Sequence, residues 1–207
     1  MPIFRTAEVL LNLAEAKAEL GTLTQGDLDK TNGQIRARVG MPPLNMVDAN
    51  IDPDPYLLDP KTGYPQVKGQ NQGVILEIRR ERTIELIMEG FRYYDMMRWK
   101  EGKTFESDYH GIYIPGLGFY DFDGDGRDDV YFYKESLPSL PSGVLARKVD
   151  EEIFLSNGDS GYISPYKNMK ASWNEERDYL YPIPIDERML TGGNLEQNPG
   201  WDDGLEF

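Results

Sequence analysis

The sequence predicts a mainly α fold, a scaffold of helical hairpins that carries long irregular loops and one small β-hairpin. Three observations predict it. Apolar residues recur at helical spacing through much of residues 4–100, and a short Gly-Thr turn folds two of those segments into a hairpin. Residues 101–178 then lose that period and turn to Tyr, Phe, Gly and Ser. The 207 residues suffice for one substantial core. The chain reads as a single domain, 1–207, with a helical scaffold (4–100), a variable aromatic and acidic insert (101–178) and a wrapping C-terminal segment (179–207).

Each element has its own signal. From Phe4 to Leu20, Ala7, Leu10, Leu11, Ala14 and Ala18 fall on one helical face, and Gly21 ends the run. Thr24 opens "TQGD", close to a capping box, for a second helix to about Arg38 with Leu28, Ile35 and Val39 inward and Gly40 as the stop. The hairpin has the length of one tetratricopeptide unit, about 34 residues, but matches that consensus poorly. Residues 42–70 have no period and read as a long loop. Asn71 caps a third helix over Gln72–Glu89, Gly90 interrupts it, and a fourth helix carries Phe91 to Lys100. "GIYI" and "DVYFYK" are extended pieces expected to pair as the hairpin. A one-turn helix near Asp186–Leu190 lies in a proline-rich tail expected to wrap over the helices.

Composition removes several classes of function. With 36 Asp+Glu against 22 Lys+Arg the net charge is −14, so nucleic acid and anionic membrane surfaces are repelled at long range. There is no cysteine, hence no disulfide, thiol nucleophile or zinc–thiolate site. The one histidine, His110, excludes multi-histidine metal centres and reads as a loop hydrogen-bonder. No apolar run is long enough to span a bilayer. The first residues, "MPIFRTAEVLL", show neither a signal-peptide pattern nor a cysteine to carry lipid.

The densest chemistry is "ERTIELIMEGFRYYDMMRW", residues 81–99. Glu77, Glu81, Glu85 and Glu89 form an i, i+4 acidic stripe, which repels itself by roughly 0.2–0.5 kcal/mol per pair unless relieved. Arg80, Arg82, Arg92 and Arg98 stand ready to relieve it, through i, i+3 pairs such as Arg82–Glu85, Glu89–Arg92 and Asp95–Arg98. A helical diiron site would need Glu-x-x-His, and no histidine lies here. The run therefore reads as a structural ion-pair network.

Four blocks, "RTAEVLLNLAEAKAELG" (5–21), "IRARVGMP" (35–42), "IRRERTIELIMEGFRYYDMMRWK" (78–100) and "YLYPIPIDE…NLEQNPGW" (179–201), together resemble the C-terminal part of the SusD/RagB family. That family comprises outer-membrane glycan-binding lipoproteins of Bacteroidetes. The resemblance implies a tetratricopeptide-like helical scaffold and makes 81–99 a fold signature. It further implies non-catalytic capture of oligosaccharide or polysaccharide on the outward face of the outer membrane, for nutrient uptake through a SusC-like TonB-dependent transporter. Family members are usually more than twice as long and carry a lipidated cysteine. The chain is therefore expected to be a C-terminal piece or a short variant.

Two local features bear on a site. In "YDFDGDGRDDVYF" (120–132), Asp121, Asp123 and Asp125 stand at positions 1, 3 and 5 of a calcium loop, Gly126 turns it, the Arg127 carbonyl lies at 7 and Asp129 at 9. Position 12 is Phe132 rather than glutamate, so the pattern resembles the D-x-D-G-D-G-x-x-D loops of β-repeat proteins. A structural Ca²⁺ and a solvated acidic hairpin tip both fit, and the mutual repulsion of four carboxylates favours the ion. Around the loop cluster Tyr109, Tyr113, Phe119, Tyr120, Phe122, Tyr131, Phe132 and Tyr133. Aromatic rings stack on sugar C–H faces, and they also pack small cores. The candidate glycan contacts are Trp173, in polar "KASWNEERD" and so expected to be an exposed platform, with Tyr113 and Tyr120; Trp99 and Trp201 are expected to be buried. The rival readings are a glycoside hydrolase using two of the many acids, and a protein-interaction scaffold without its own glycan site.

Overall fold

A computed structural model describes residues 5–205, so Phe4 lies outside the described residues. Two compact units emerge, one of residues 1–106 and 172–207 and the other of residues 107–171. The first is helical. The second holds all the strands.

In the helical unit α1 spans Thr6–Glu19, with Leu11, Ala14 and Ala18 buried as its period requires. Thr24 and Asp27 do form a capping box on α2 (Gln25–Lys30). The single second helix expected from sequence is broken, however. Thr31 leaves helical geometry (φ −114°, ψ −92°) and α3 (Asn32–Arg38) starts afresh. Leu28 and Ile35 are buried as expected, but Val39 is 57% exposed because the helix ends before it.

The long loop expected over 42–70 contains two short helices, α4 (Met46–Ile51) and α5 (Pro55–Leu58). Asn45 caps α4, accepting from the N–H groups of Val47 and Asp48, and Asp54 caps α5 with Pro55 in its first turn. Neither is long enough to show a period. α4 has a specific job. Its backbone packs against Gly73, where an added Cβ would lie 1.7 Å from the Ala49 carbonyl oxygen. That approach lets Asn50 Oδ1 accept from the Val74 N–H (2.9 Å) and satisfy the N-terminus of α6 (Gln72–Glu85). The cap expected of Asn71 therefore comes from Asn50. The Asn71 amide donates instead to Ala18 O (3.3 Å).

α6 ends at Glu85, short of the expected Glu89. Residues 86–90 form turns in which Met88 (φ 63°) and Gly90 (φ 85°) are left-handed, and α7 (Arg92–Trp99) follows. The expected local pairs are largely replaced by long-range ones. Arg82 Nε donates to Asp95 (2.7 Å) and its Nη1 to Asn12 of α1 (2.7 Å). Glu85 takes Arg5 and Arg38, Glu89 takes Arg5, and Glu81 takes Arg36 (3.1 Å). Arg92 donates to Tyr64 and Thr83. Of the three i, i+3 pairs named from sequence only Asp95–Arg98 forms (2.9 Å), and Arg80 pairs with Glu77 at the same spacing. Buried Glu15 of α1 receives Arg98 and the indole N–H of Trp99 (2.6 Å). Burial works to raise its carboxyl; the bonds from Arg98 and Trp99 outweigh it and hold Glu15 below its ordinary value.

A 3₁₀ turn (Gly102–Glu106) follows α7, and the tail with α8 (Ile185–Leu190) folds back within the same unit. Tyr181 lies against Tyr93, and Arg188 ties the tail to Leu195 and Asp203. Trp99 is buried as expected, whereas Trp201 is half-buried under Arg177.

In the second unit β1 (Tyr113–Ile114) pairs with β5 (Gly161–Tyr162). β2 (Gly118–Tyr120), β3 (Val130–Tyr133) and β4 (Leu145–Lys148) make a three-stranded sheet. The hairpin is thus β2–β3, closed by the acidic loop, and "GIYI" pairs elsewhere than with "DVYFYK". Ile114, Phe132, Val149 and Leu155 form a small core under Tyr120 and Val130.

Glu101 is the least compensated carboxyl of the helical unit. Burial pushes it up to about 7, and the Gln66 N–H (3.0 Å) and Arg79 (3.5 Å) offset only part of that. Its folded value lies above the ordinary 4.5. The folded state therefore holds the extra proton, and this contribution is complete below about 4.5 and is lost as pH rises through about 7. Glu101→Gln keeps an acceptor without the charge. Relative to wild type it should gain on the order of 3 kcal/mol between pH 4 and pH 8 in urea unfolding. An equal difference at both pH values would contradict this.

Candidate functional site

The hairpin β2–β3 owes its closure to its own carboxylates. Asp121 accepts from the N–H groups of Gly124 (2.7 Å) and Gly126 (2.9 Å), which sit at φ 79° and 85°. Asp123 accepts from Asp125 N–H (3.0 Å), Asp125 from Arg127 N–H (2.8 Å) and Asp129 from Phe122 N–H (2.8 Å). The N–H bonds from Gly126 and Gly124 hold the Asp121 carboxyl below its ordinary range. Such bonding lets an acidic tip form by itself.

A cation also fits part of this loop. One oxygen each from Asp121, Asp123 and Asp129 lies within 4.8 Å of the others. Two oxygens on opposite sides of a Ca²⁺ at about 2.4 Å are at most about 4.8 Å apart, so the three match one coordination sphere. Asp125 stands outside this group among the described residues, and its carboxylate is engaged by the Arg127 N–H.

The three ring residues singled out by sequence have different settings. Trp173 belongs to the helical unit, and Tyr113 and Tyr120 sit in the two different sheets of the other unit. Trp173 is no exposed platform. It is half-buried, packs on Phe105 (5.6 Å) and edge-on to Tyr179 (5.1 Å), and lies over Gly102, where an added Cβ would be 2.0 Å from its Cε2. Its polar neighbours in sequence mislead because Gly102 and Phe105, from a distant part of the chain, cover it together with Tyr179. Tyr120 faces the small core against Phe132 (5.5 Å), and its hydroxyl is spent on Gly116, donating to the carbonyl (2.8 Å) and accepting from the N–H (3.2 Å). Tyr113 is 52% exposed and meets its cross-strand partner Tyr162 edge-on (5.2 Å).

Sequence reasoning missed Phe119, Tyr131 and Tyr133 as a set. They project from the β2–β3 sheet opposite Tyr120, Val130 and Phe132. Period-two alternation in "VYFY" carries that signal, since every second residue shares a face.

The SusD family model matches residues 1–201. No curated protein matches the chain. Two solved structures from Bacteroides fragilis are similar to it. A SusD-like protein has 25% identity and a TM-score of 0.52 over 96% of this chain and 25% of its own. A SusD-like carbohydrate-binding protein has 23% identity and a TM-score of 0.50 over 92% of this chain and 28% of its own. The chain thus spans about a quarter of the length of these structures.

Because Trp173 packs within the helical unit, removing it should cost stability whatever it does for a ligand. Trp173→Ala should lower the unfolding free energy by about 1–3 kcal/mol. Gly102→Ala should destabilise comparably and red-shift the tryptophan emission, since the added methyl displaces the indole. Unchanged melting for both variants would return Trp173 to the status of a surface ring.

Proposed function

The chain belongs to the SusD family, and on that footing we propose that it captures oligosaccharide or polysaccharide without cleaving it. In this reading it acts outward-facing at the outer membrane and passes glycan to a SusC-like TonB-dependent transporter. The observation that carries the proposal is the family match over residues 1–201. The carbohydrate-binding description of one similar structure supports it. No helix among the described residues is long and apolar enough to cross a membrane.

A capture protein needs no general acid or base. Glu15, Glu81, Asp95 and Glu101, the buried carboxylates among the described residues, each face an arginine. The carboxylates of the 121–129 loop are tied to backbone N–H groups. We assign the loop a structural Ca²⁺, held by Asp121, Asp123 and Asp129. It would replace mutual repulsion by coordination and stiffen the β2–β3 hairpin.

One feature favours a protein partner as well. Ile84, Ile87 and Met88 are 62%, 71% and 94% exposed at the end of α6. They adjoin a cavity of about 470 Å³ lined by Leu86, Phe91 and Tyr93. An apolar turn this open suits docking against a transporter, and in that reading Met88→Asp abolishes co-purification with it.

Native gels cast with starch, xylan, mannan or dextran test the proposal. Retardation without release of reducing ends is expected; reducing ends would make the chain a hydrolase, and no retardation by any glycan would remove its glycan-binding role. In parallel, Ca²⁺ at a hundredfold excess over its dissociation constant should stabilise by about 2.7 kcal/mol over chelator. Asp121→Asn should abolish that increment, and identical melts with Ca²⁺ and chelator would leave the loop a solvated tip.

A further inference from the structure

The two faces of the β2–β3–β4 sheet are built for different purposes. Tyr120, Val130 and Phe132 point to one side and close the small core. Phe119, Tyr131 and Tyr133 point to the other and join no core cluster. An antiparallel pair with one covered face ordinarily turns polar side chains outward. Here three rings stand in that position. Phe119 is 43% exposed and lies against Tyr131 with 4.4 Å between centroids, and Tyr131 runs nearly parallel to Tyr133 at 6.2 Å and 9°.

An open groove of about 350 Å³ is lined by Tyr131, Phe132 and Tyr133 with Lys134, Glu135 and Asp159, and Phe119 stands outside the lining, against Tyr131. That volume falls at the small end of ligand sites. The Lys134 ammonium is held between Asp159 and Asp150 (3.0 Å to the latter). These bonds raise its pKa, so it stays charged while its charge is already matched. The groove therefore offers donors and acceptors of both signs next to aromatic rings.

We propose that this face is a saccharide subsite, in which Phe119, Tyr131 and Tyr133 take the C–H faces of a neutral sugar chain and Lys134, Glu135 and Asp159 bond its hydroxyls. The proposal rests on the reading of the chain as a glycan-capturing protein and gives that reading a place. Phosphorylated or uronate-rich ligands are disfavoured, because Glu135 and Asp159 oppose them and Lys134 is already paired. A lipid or an apolar peptide would have to desolvate Lys134, Glu135 and Asp159 in the lining. A neutral polyhydroxylated ring suits both walls, with apolar faces for the rings and hydroxyls for the ions.

The test uses the full chain and whichever of starch, xylan, mannan or dextran retards it, with the corresponding oligosaccharide in calorimetric titration. Phe119→Ala and Tyr131→Ala should each raise Kd by roughly tenfold or more, whereas Tyr56→Ala at an exposed position of α5 should leave it unchanged. If either variant unfolds, the wild-type chain still decides. Saturating oligosaccharide should protect Tyr131 and Tyr133 from nitration by tetranitromethane while exposed Tyr56 stays reactive, read by peptide mass spectrometry. Equal nitration with and without oligosaccharide, or unchanged Kd in folded variants, overturns the subsite while glycan capture stands. Failure of the wild-type chain to bind any of the four polysaccharides overturns both.

Discussion

Burying α6 is the constraint on which the helical unit depends. This helix puts Arg79, Glu81 and Arg82 in the interior beside Val74, Leu76 and Ile78, and a charge taken out of water is tolerable only when its partner comes with it. The partners arrive from several other segments. α1 supplies Asn12 to Arg82 and Glu19 to Arg79, α3 supplies Arg36 and Arg38 to Glu81 and Glu85, and α7 supplies Asp95. Such pairs add little net stability over a well-packed apolar core, yet removing one member leaves an uncompensated charge at a cost of about 3–5 kcal/mol. Arg79 shows the compromise. Its guanidinium lies 4.6 Å from the Trp99 ring centre, and burial lowers its pKa against the pull of Glu19 and Glu101. What the lattice supplies above all is register, since each helix has a place where its charges are met.

The second unit solves a different problem. Its core has only four fully buried apolar side chains, a small driving force for ordering residues 107–171. Backbone hydrogen bonds to aspartates make up part of the difference. Asp129 shows how directly: its N–H donates to the Tyr120 carbonyl, its carbonyl accepts from Leu145, and its carboxylate accepts from Phe122. One residue thereby fixes the hairpin and the entry to β4. An ion bound by the same loop would act on the same element, which is why its effect belongs in stability rather than in chemistry.

How much was legible follows from the range of each interaction. α1, α7 and the capping box on α2 were readable because their signals are local. The helix ends and the Asn71 cap were misjudged because tertiary groups took over: Asn50, more than twenty positions upstream, satisfies the N-terminus of α6. The ion pairs were recognised in kind but misassigned in partner, since i, i+3 spacing is visible in sequence and a contact from Arg82 to Asn12 is not. Strand pairing failed for the same reason, with Tyr113 meeting Tyr162 across 49 positions. At the site, aromatic content was plain but its sidedness was not. Trp173 looked exposed by its neighbours and is packed by distant ones, while Tyr131 and Tyr133 looked like packing and face outward.

The division of labour between the charges and the rings follows from these constraints. Every arginine of the helical unit among the described residues is bound to a carboxylate, a hydroxyl or a carbonyl of the same unit. The arginines are therefore already engaged, and the net charge of −14 works against an anionic ligand from the outset. Recognition of a neutral ligand must then come from shape, from hydrogen bonds whose ions are already paired, and from apolar faces that lose water on contact. The outward face of β2 and β3 has all three within a few residues of chain. A fold that spends its charges on its own register can bind neutral polymers without also collecting polyanions. In a chain this acidic, that exclusion costs no additional residue.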